Sequence, residues 1–523
     1  MDVRTDNYIT GTGIIINKEN LSRNAIYNLR SKLSVLDFMT QTEVPKAYFE
    51  FGNYVCIPKI DIKFLRFVTQ NPNLHLEPMY QDEYVVKESY KLTVSPLPHQ
   101  VDIISKAEDA FKNKEDKRVC VCLQPGYGKT YIAANLISKL NCKFVFIVYS
   151  SDLLQQNLDN IARTLDCKWF YPLKSSSELM ELKYDKIQGL FITQSMLRSC
   201  IKNYGLETVL DIFQNKLNAT MKIVDEFDRD VSTMYRLDAF SNFRYNLYLS
   251  GTNYKSLRPD DAIFQAIYKN STVLGTDIKI KPNKDLILLH TKFSPYSGEY
   301  FKIMRDQKTF KVFYNNYWSN KDITLDYIMD RFYKKDNSLM KTVIEEKGKI
   351  VFYCGRIENC ENVKEKLMKY HGISEEDIGI INSKITKDSE RDINKNKPFI
   401  CSTMSSLGRG YDDKSVRVLV FLELTFSKPD LIQSISRVGR VNGDHGYVIY
   451  PVDHSFATIM TNFNLRYKSQ NSLFRENFDK IFEFTIPEEM FKDYHFGYNK
   501  DSKEAKEINE KEKKKRTKFY KLI

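Results

Sequence analysis

From about Leu92 onward the chain keeps a rhythm that few architectures accept. Short apolar runs alternate with helix-length amphipathic segments, the pattern of a parallel α/β sheet. The runs include "RVCVCL" (118–123), "KFVFIVY" (143–149), "GLFITQ" (189–194), "MKIVDE" (221–226) and "YNLYLSG" (245–251). The rhythm resumes with "DLILLHT" (285–291), "KIVFYCG" (349–355), "DIGIIN" (377–382), "PFICST" (398–403), "RVLVFLE" (417–423) and "GYVIYP" (446–451). Eleven runs are too many for one small core in a chain of 523 residues, so two tandem parallel-sheet domains are expected, at 91–280 and 281–460.

Residues 1–90 precede this rhythm and read as a small α/β accessory domain, with a hairpin in "AYFEFGNYVCIP" turning at Gly52-Asn53. Basic residues on its helix-like segments "SRNAIYNLRSKL" and "KIDIKFLRF" admit a grip on duplex DNA. The alternative is a scaffold that covers the first α/β domain. An insertion at 294–345 interleaves aromatics with bases, read as a helical subdomain with its own core or as a stacking surface. Residues 461–523 form an extension whose basic end is a solvated helix or a phosphate-contacting tail. No apolar run is long enough to span a bilayer, and the first ten residues lack a signal-peptide pattern. Nine scattered cysteines without a C-x-x-C pair argue against zinc and disulfides and for a reducing compartment. A net charge of +12 favours a polyanionic partner.

"QPGYGKT" (124–130) follows one strand and opens a helix, the context that a phosphate-binding turn requires. Pro125, Gly126, Tyr127 and Gly128 would curl the backbone so that N–H groups point inward. Lys129 would reach the β- and γ-phosphates of ATP and Thr130 would ligate Mg²⁺. Leu123 stands where the usual first glycine would be. Downstream, "KIVDEFD" ends a strand in two carboxylates: Asp225 would hold Mg²⁺ through water, and Glu226 would deprotonate the attacking water.

These elements, with "LYLSGT", "STMSSLGRGYD" and "QSISRVGR" in order, resemble superfamily 2 helicases and translocases over about 92–455. The resemblance implies two RecA-like domains and assigns roles residue by residue. Gln100 in "LPHQ" would read adenine, and Asp225, Glu226, Phe227 and Asp228 form the D-E-x-x box. Ser250, Gly251 and Thr252 would couple hydrolysis to domain motion. Thr403, Gly408, Gly410 and Asp412 match the fifth motif, with Gly410 and Asp412 on the nucleotide. Gln433, Arg437 and Arg440 match the sixth, on a helix-like segment at 430–440, with Ser436 in place of a glycine. Its arginines would stabilise γ-phosphate charge when the domains close.

Ser150, Leu153, Gln155, Thr193, Gln194 and Ser195 would touch the tracking strand from the first domain. Gly355, Arg356, Ser383 and Thr403 would do so from the second; each of these residues also suits a helix N-cap. The layout resembles phage and large-virus DNA helicases of recombination and fork remodelling. It implies a DNA track, ATP and Mg²⁺, viral recombination or replication proteins as partners, and a host-cell cytoplasmic location. An RNA-directed helicase or transcript-release factor, and a translocation subunit of a restriction or packaging complex, are the alternatives.

Overall fold

The computed structural model describes residues 7–37, 42–86, 89–123, 126–227, 230–251, 261–276, 282–291, 321–385, 388–403, 406, 413–422, 428–439, 443–454, 473–487 and 490. The chain divides into two units, Met1–Lys279 and Ile280–Ile523.

The first unit opens with strands β1 (Tyr8–Ile9), β2 (Gly13–Asn17), β3 (Ser34–Asp37), β4 (Thr42–Pro45), β5 (Phe49–Phe51), β6 (Tyr54–Pro58) and β7 (Glu77–Pro78). Five of them form a sheet in the order β5-β6-β2-β1-β7, and β3 and β4 make a separate ribbon. The expected hairpin is β5–β6, closed by Gly52 at φ +56°, in the left-handed region glycine tolerates. Two helices belong to this module. Ser22 caps Arg23–Lys32 by accepting the Ala25 N–H, and Asp61 caps Ile62–Thr69 by accepting the Lys63 N–H.

This module is not a separate body. A side chain at Gly13 would lie 2.5 Å from the Ala239 carbonyl of the helix Val231–Phe240, so the sheet and that helix approach as closely as backbone allows. The Thr10 and Thr12 hydroxyls each donate to the Ser241 carbonyl at 2.9 Å. Buried Arg118 donates to the Lys59 carbonyl at 2.9 Å and to Ile267 at 2.8 Å. On the same side, the Phe49 and Phe51 rings lie 6.0 and 6.4 Å from that of Phe240 at the end of the same helix. The covering role is therefore physical fact.

The next strands are β8 (Arg118–Cys122), β9 (Phe144–Val148), β10 (Phe170–Pro172), β11 (Gly189–Thr193), β12 (Met221–Asp225), β13 (Tyr245–Ser250) and β14 (Thr272–Leu274). They pair in parallel in the order β10-β11-β9-β12-β13-β8-β14. Every residue of β8, β9, β11, β12 and β13 is buried, as expected where both faces of a parallel sheet are covered.

The second unit repeats the plan with β15 (Lys284–Thr291), β16 (Lys349–Cys354), β17 (Ile378–Ile381), β18 (Phe399–Thr403), β19 (Val416–Phe421), β20 (Gly446–Asp453) and β21 (Ile481–Thr485). All pair in parallel in the order β17-β18-β16-β19-β20-β15-β21. The fold is α/β, with two RecA-like sheets and the small N-terminal layer.

The later part of the expected insertion differs from its reading. Helices Lys321–Phe332 and Leu339–Glu345 send Leu325, Ile328, Met329, Met340 and Val343 into the core beside Phe352, so they cover the sheet instead of enclosing a core of their own. Its aromatic stretch before residue 321 and the basic tail lie outside the described residues. No described helix is long and apolar enough to cross a membrane.

Candidate ATP site and nucleic-acid track

In the first sheet the neighbours β12, β13 and β8 each end at a chemistry-bearing segment, on the carboxyl edge where parallel sheets bind ligands. Gly126 and Gly128 both take positive φ (+87° and +77°), and Gly128 leads directly into the helix Lys129–Leu140. A Cβ at Gly128 would lie 2.2 Å from Gln100 Nε2, which together with its positive φ favours glycine there. Buried Gln100 accepts the Leu97 N–H at 2.9 Å and donates to the Tyr127 carbonyl at 3.1 Å. It therefore braces the loop from behind, while His99 stacks edge-on against Tyr127 at 5.7 Å. Leu123, at the departed glycine position, donates its N–H to the Ser250 carbonyl at 3.0 Å and is buried. That bond ties the loop to Ser250 and buried Gly251.

Lys129 Nζ donates to the Leu123 carbonyl at 3.2 Å and lies 3.9 Å from Glu226 Oε1. Glu226 itself sits at φ +52°, a left-handed conformation that costs an ordinary residue on the order of 1–3 kcal/mol and concentrates at working sites. Phe227 holds the strained turn down. It is buried among Tyr248, Phe264 and Tyr268, with ring centroids 5.3–5.5 Å away.

Two parts of this site escaped sequence reasoning. Buried Asn157, on the helix Ser151–Leu165, accepts the Thr130 hydroxyl at 2.7 Å and donates to Asp225 Oδ2 at 3.3 Å and the Leu153 carbonyl at 2.9 Å. Its amide thereby joins the two proposed Mg²⁺ groups. Behind them, fully buried Lys222 pairs with Asp238, whose Oδ2 accepts the Tyr248 and Tyr268 hydroxyls, both at 2.9 Å. Burial pulls the Lys222 ammonium below its usual range, against the pull of Asp238. The network locks β12 to β13, the strands that end in the carboxylate box and in Ser250-Gly251.

The track candidates fall on the same edge of the same sheet, after β9 and β11, which are neighbours. Ser150 accepts the Leu153 N–H at 3.4 Å and Thr193 accepts the Met196 N–H at 3.0 Å, so both are helix caps. Gln155 is exposed and donates to Asp159 at 2.8 Å, and exposed Ser195 pairs with the Thr193 hydroxyl at 3.0 Å. Gln194 instead points inward: its amide is buried with no hydrogen-bond partner among the described residues.

In the second unit Gly355, Ser383 and Thr403 follow or end the adjacent strands β16, β17 and β18. Gly355 and Ser383 are exposed, Arg356 donates to Glu358 at 3.3 Å, and Thr403 donates to Ser406 at 2.8 Å.

The helix carrying Gln433 runs Lys428–Ile435, shorter than the expected 430–440 segment, so Arg437 lies on the turn just past it. Ser436 extends the helical bonding, its N–H donating to Ile432 at 3.0 Å, while the left-handed turn falls on Gly439 at φ +60°. A serine therefore suits position 436. Buried Lys284 donates to the Ile435 carbonyl at 2.8 Å and Val438 at 3.4 Å, and Asn283 donates to the Gly443 carbonyl at 2.8 Å. The head of β15 thus clamps the arginine turn, a contact sequence spacing does not reveal. Arg437 also lies near buried Tyr353, whose phenol burial pushes up to about 12 against the pull of the arginine charge. Pro125, Asp228, Thr252, Gly408, Gly410, Asp412 and Arg440, with the side chain of Gln433, lie outside the described residues.

A phosphate loop after β8, a carboxylate box at the end of β12 two strands away on the same sheet edge, and a second parallel sheet with its arginine turn define a nucleic-acid motor driven by ATP hydrolysis. Residues 93–255 match the family model of the type III restriction enzyme res subunit, and 334–442 match the helicase conserved C-terminal domain. The chain belongs to helicase superfamily 2. A protein of Acanthamoeba polyphaga mimivirus, provisionally named ATP-dependent RNA helicase L396, is 26% identical over 518 residues, covering 94% of this chain and 90% of its own. Two solved structures share the fold at a TM-score of 0.50. One is Mss116p bound to single-stranded RNA and AMP-PNP, 14% identical and covering 75% of each chain. The other is a fragment assigned as an HsdR subunit of a type I restriction enzyme from Vibrio vulnificus, 13% identical, covering 76% of this chain and 70% of its own.

Proposed function

We propose that this superfamily 2 motor tracks along DNA, separating or remodelling branched and duplex substrates for a large DNA virus in the host cytoplasm. The observation that carries the DNA reading is the restriction-motor pattern over residues 93–255, because restriction enzymes work on DNA. The name of the mimivirus relative supports the second reading, an RNA track.

Lys129 would leave Glu226 and the Leu123 carbonyl to neutralise the β- and γ-phosphates of ATP. The Thr130 hydroxyl already donates its proton to Asn157, so its lone pairs are free to face a cation, and the Asp225 carboxylate stands on the same amide. This donor set of hydroxyl and carboxylate oxygens suits Mg²⁺. When bound, Mg²⁺ would offset charge on the phosphate oxygens. Glu226 would take the proton of the attacking water, and Arg437 with Arg440 would stabilise the charge on the transferred group.

The test is ATP turnover with single-stranded, duplex, forked and four-way DNA and with matched RNA, beside strand-separation assays and Lys129→Ala as the inactive control. Stimulation and unwinding on forked or four-way DNA, with RNA several-fold weaker, is the expected result. Stimulation by RNA alone would replace it with the RNA reading.

A further inference from the structure

Among the described residues, the two most exposed large apolar side chains are Phe67 (78% exposed) and Tyr27 (67%). Both belong to the N-terminal module, one on each of its two helices. In Arg23–Lys32 the buried positions are Ala25 and Leu29, and Tyr27 lies midway between them, about 200° round the helix. In Ile62–Thr69, Phe67 stands in the same relation to buried Leu65 and Thr69. The two helices pack against each other. The sheet behind them turns Gly13 toward the helix Val231–Phe240, so alternation points Ile14 and Ile16 the other way, into the core with Ala25, Leu29, Leu65 and Val68. The layers therefore run motor helix, sheet, helix pair, and both aromatics face solvent on the side away from the motor.

The charged residues on the two helices share one sign. Exposed Arg23 and Arg30 flank Tyr27 at i−4 and i+3, and exposed Lys63 stands four residues before Phe67. Neither helix contains a carboxylate. The nearby acids are engaged: Asp61 caps the second helix, Glu43 accepts from Ser31 at 3.1 Å, and Glu50 pairs with Lys18 at 2.6 Å. Arg66 is spent on the Leu74 carbonyl at 3.2 Å, so it adds charge without reaching outward. Leaving two aromatic rings in water inside a cationic field gains nothing for folding. It suits a partner that offers flat apolar faces and regularly spaced negative charge, which is a nucleic-acid strand with unpaired bases.

We infer that this outer face is a second nucleic-acid site, in which Tyr27 and Phe67 stack on unpaired bases while Arg23, Arg30 and Lys63 contact the flanking phosphates. The inference rests on the motor reading above and adds to it a contact distant from the strand-end track. A face of this kind holds the unpaired arm of a branched substrate on the far side of the module from the motor, through contacts blind to sequence.

The test uses the full chain with a forked DNA, a blunt duplex of the same sequence and a matched forked RNA. Tyr27→Ala with Phe67→Ala should weaken binding of the forks by about 10-fold or more and leave the blunt duplex nearly unaffected, since stacking needs unpaired bases. Arg23→Gln with Lys63→Gln should lower the slope of log affinity against log salt by about 1 to 2. All four side chains are exposed, so unfolding temperatures should match the parent protein, and if the aromatic pair fails to fold, the charge pair decides. Photocrosslinking of a halogenated unpaired arm should map to Tyr27 or Phe67. Unchanged fork affinity with an unchanged salt slope overturns the inference, as does crosslinking confined to other residues. Equal loss on blunt duplex overturns the stacking role. Wild-type ATP turnover indifferent to every nucleic acid would instead refute the motor reading, so the two failures are distinct.

Discussion

Replacing Asn157 by alanine tests the ATP site at the point where sequence reasoning was silent. The amide makes three bonds: from the Thr130 hydroxyl at 2.7 Å, to Asp225 at 3.3 Å and to the Leu153 carbonyl at 2.9 Å. Alanine removes all three in a position only 3% exposed, where water does not readily replace them. Each group left short costs about 1–3 kcal/mol, so a lower unfolding temperature is expected. The functional cost comes from orientation. Without an acceptor, the Thr130 hydroxyl is free to rotate its proton toward the cation position, and Asp225 loses a donor that fixes its oxygens. Groups that orient metal ligands from behind typically contribute 10–100-fold in affinity or activity. Nucleic-acid-stimulated ATP turnover should therefore need about 10–100-fold more Mg²⁺ for half-maximal rate, with part of the turnover recovered at high Mg²⁺. A folded variant with the parental Mg²⁺ requirement and turnover would show that the bridge is packing alone, and would refute the reasoning.

Glu226→Gln should bind ATP but turn over about 10²–10⁴-fold more slowly, measured by single-turnover hydrolysis, because the amide cannot accept the water's proton; near-parental rates would move the base elsewhere. Lys284→Met should lower maximal turnover about 10-fold with KM for ATP kept, since it frees the arginine turn from the Ile435 and Val438 carbonyls. A raised KM with intact turnover would assign that turn to ground-state binding. Lys222→Met should cost about 3–5 kcal/mol in chemical denaturation by leaving Asp238 buried without its cation, with two tyrosine hydroxyls as its remaining partners; a loss under 1 kcal/mol would contradict this. A chain beginning at Ser89 should be insoluble, because it strips Phe49 from Phe240 and removes the Lys59 carbonyl from Arg118. A soluble, cooperatively folding truncation would show that the first α/β domain does not need its cover.

What the sequence disclosed and what it withheld follow from range. Strands such as 144–148 and 221–225 are written in a handful of adjacent residues, and the phosphate turn in seven, so local periodicity and glycine placement reveal them. Leu123 and Ser436, which depart from the familiar motifs, proved harmless because the left-handed turns fall on Gly126, Gly128 and Gly439 instead. Asn157 precedes Asp225 by 68 residues and meets it only because β9 and β12 are sheet neighbours, a pairing no periodicity encodes. Lys284 reaches Ile435 across 151 residues for a similar reason: β20, which follows the arginine turn, pairs with β15. The N-terminal module shows both limits at once. Its helix-like segments and hairpin were legible, yet whether it covers or grips depended on which face met the helix 231–240. The inner face is committed to the motor's core, which leaves the outer one, with Tyr27 and Phe67 exposed, as the part of the module that folding does not explain.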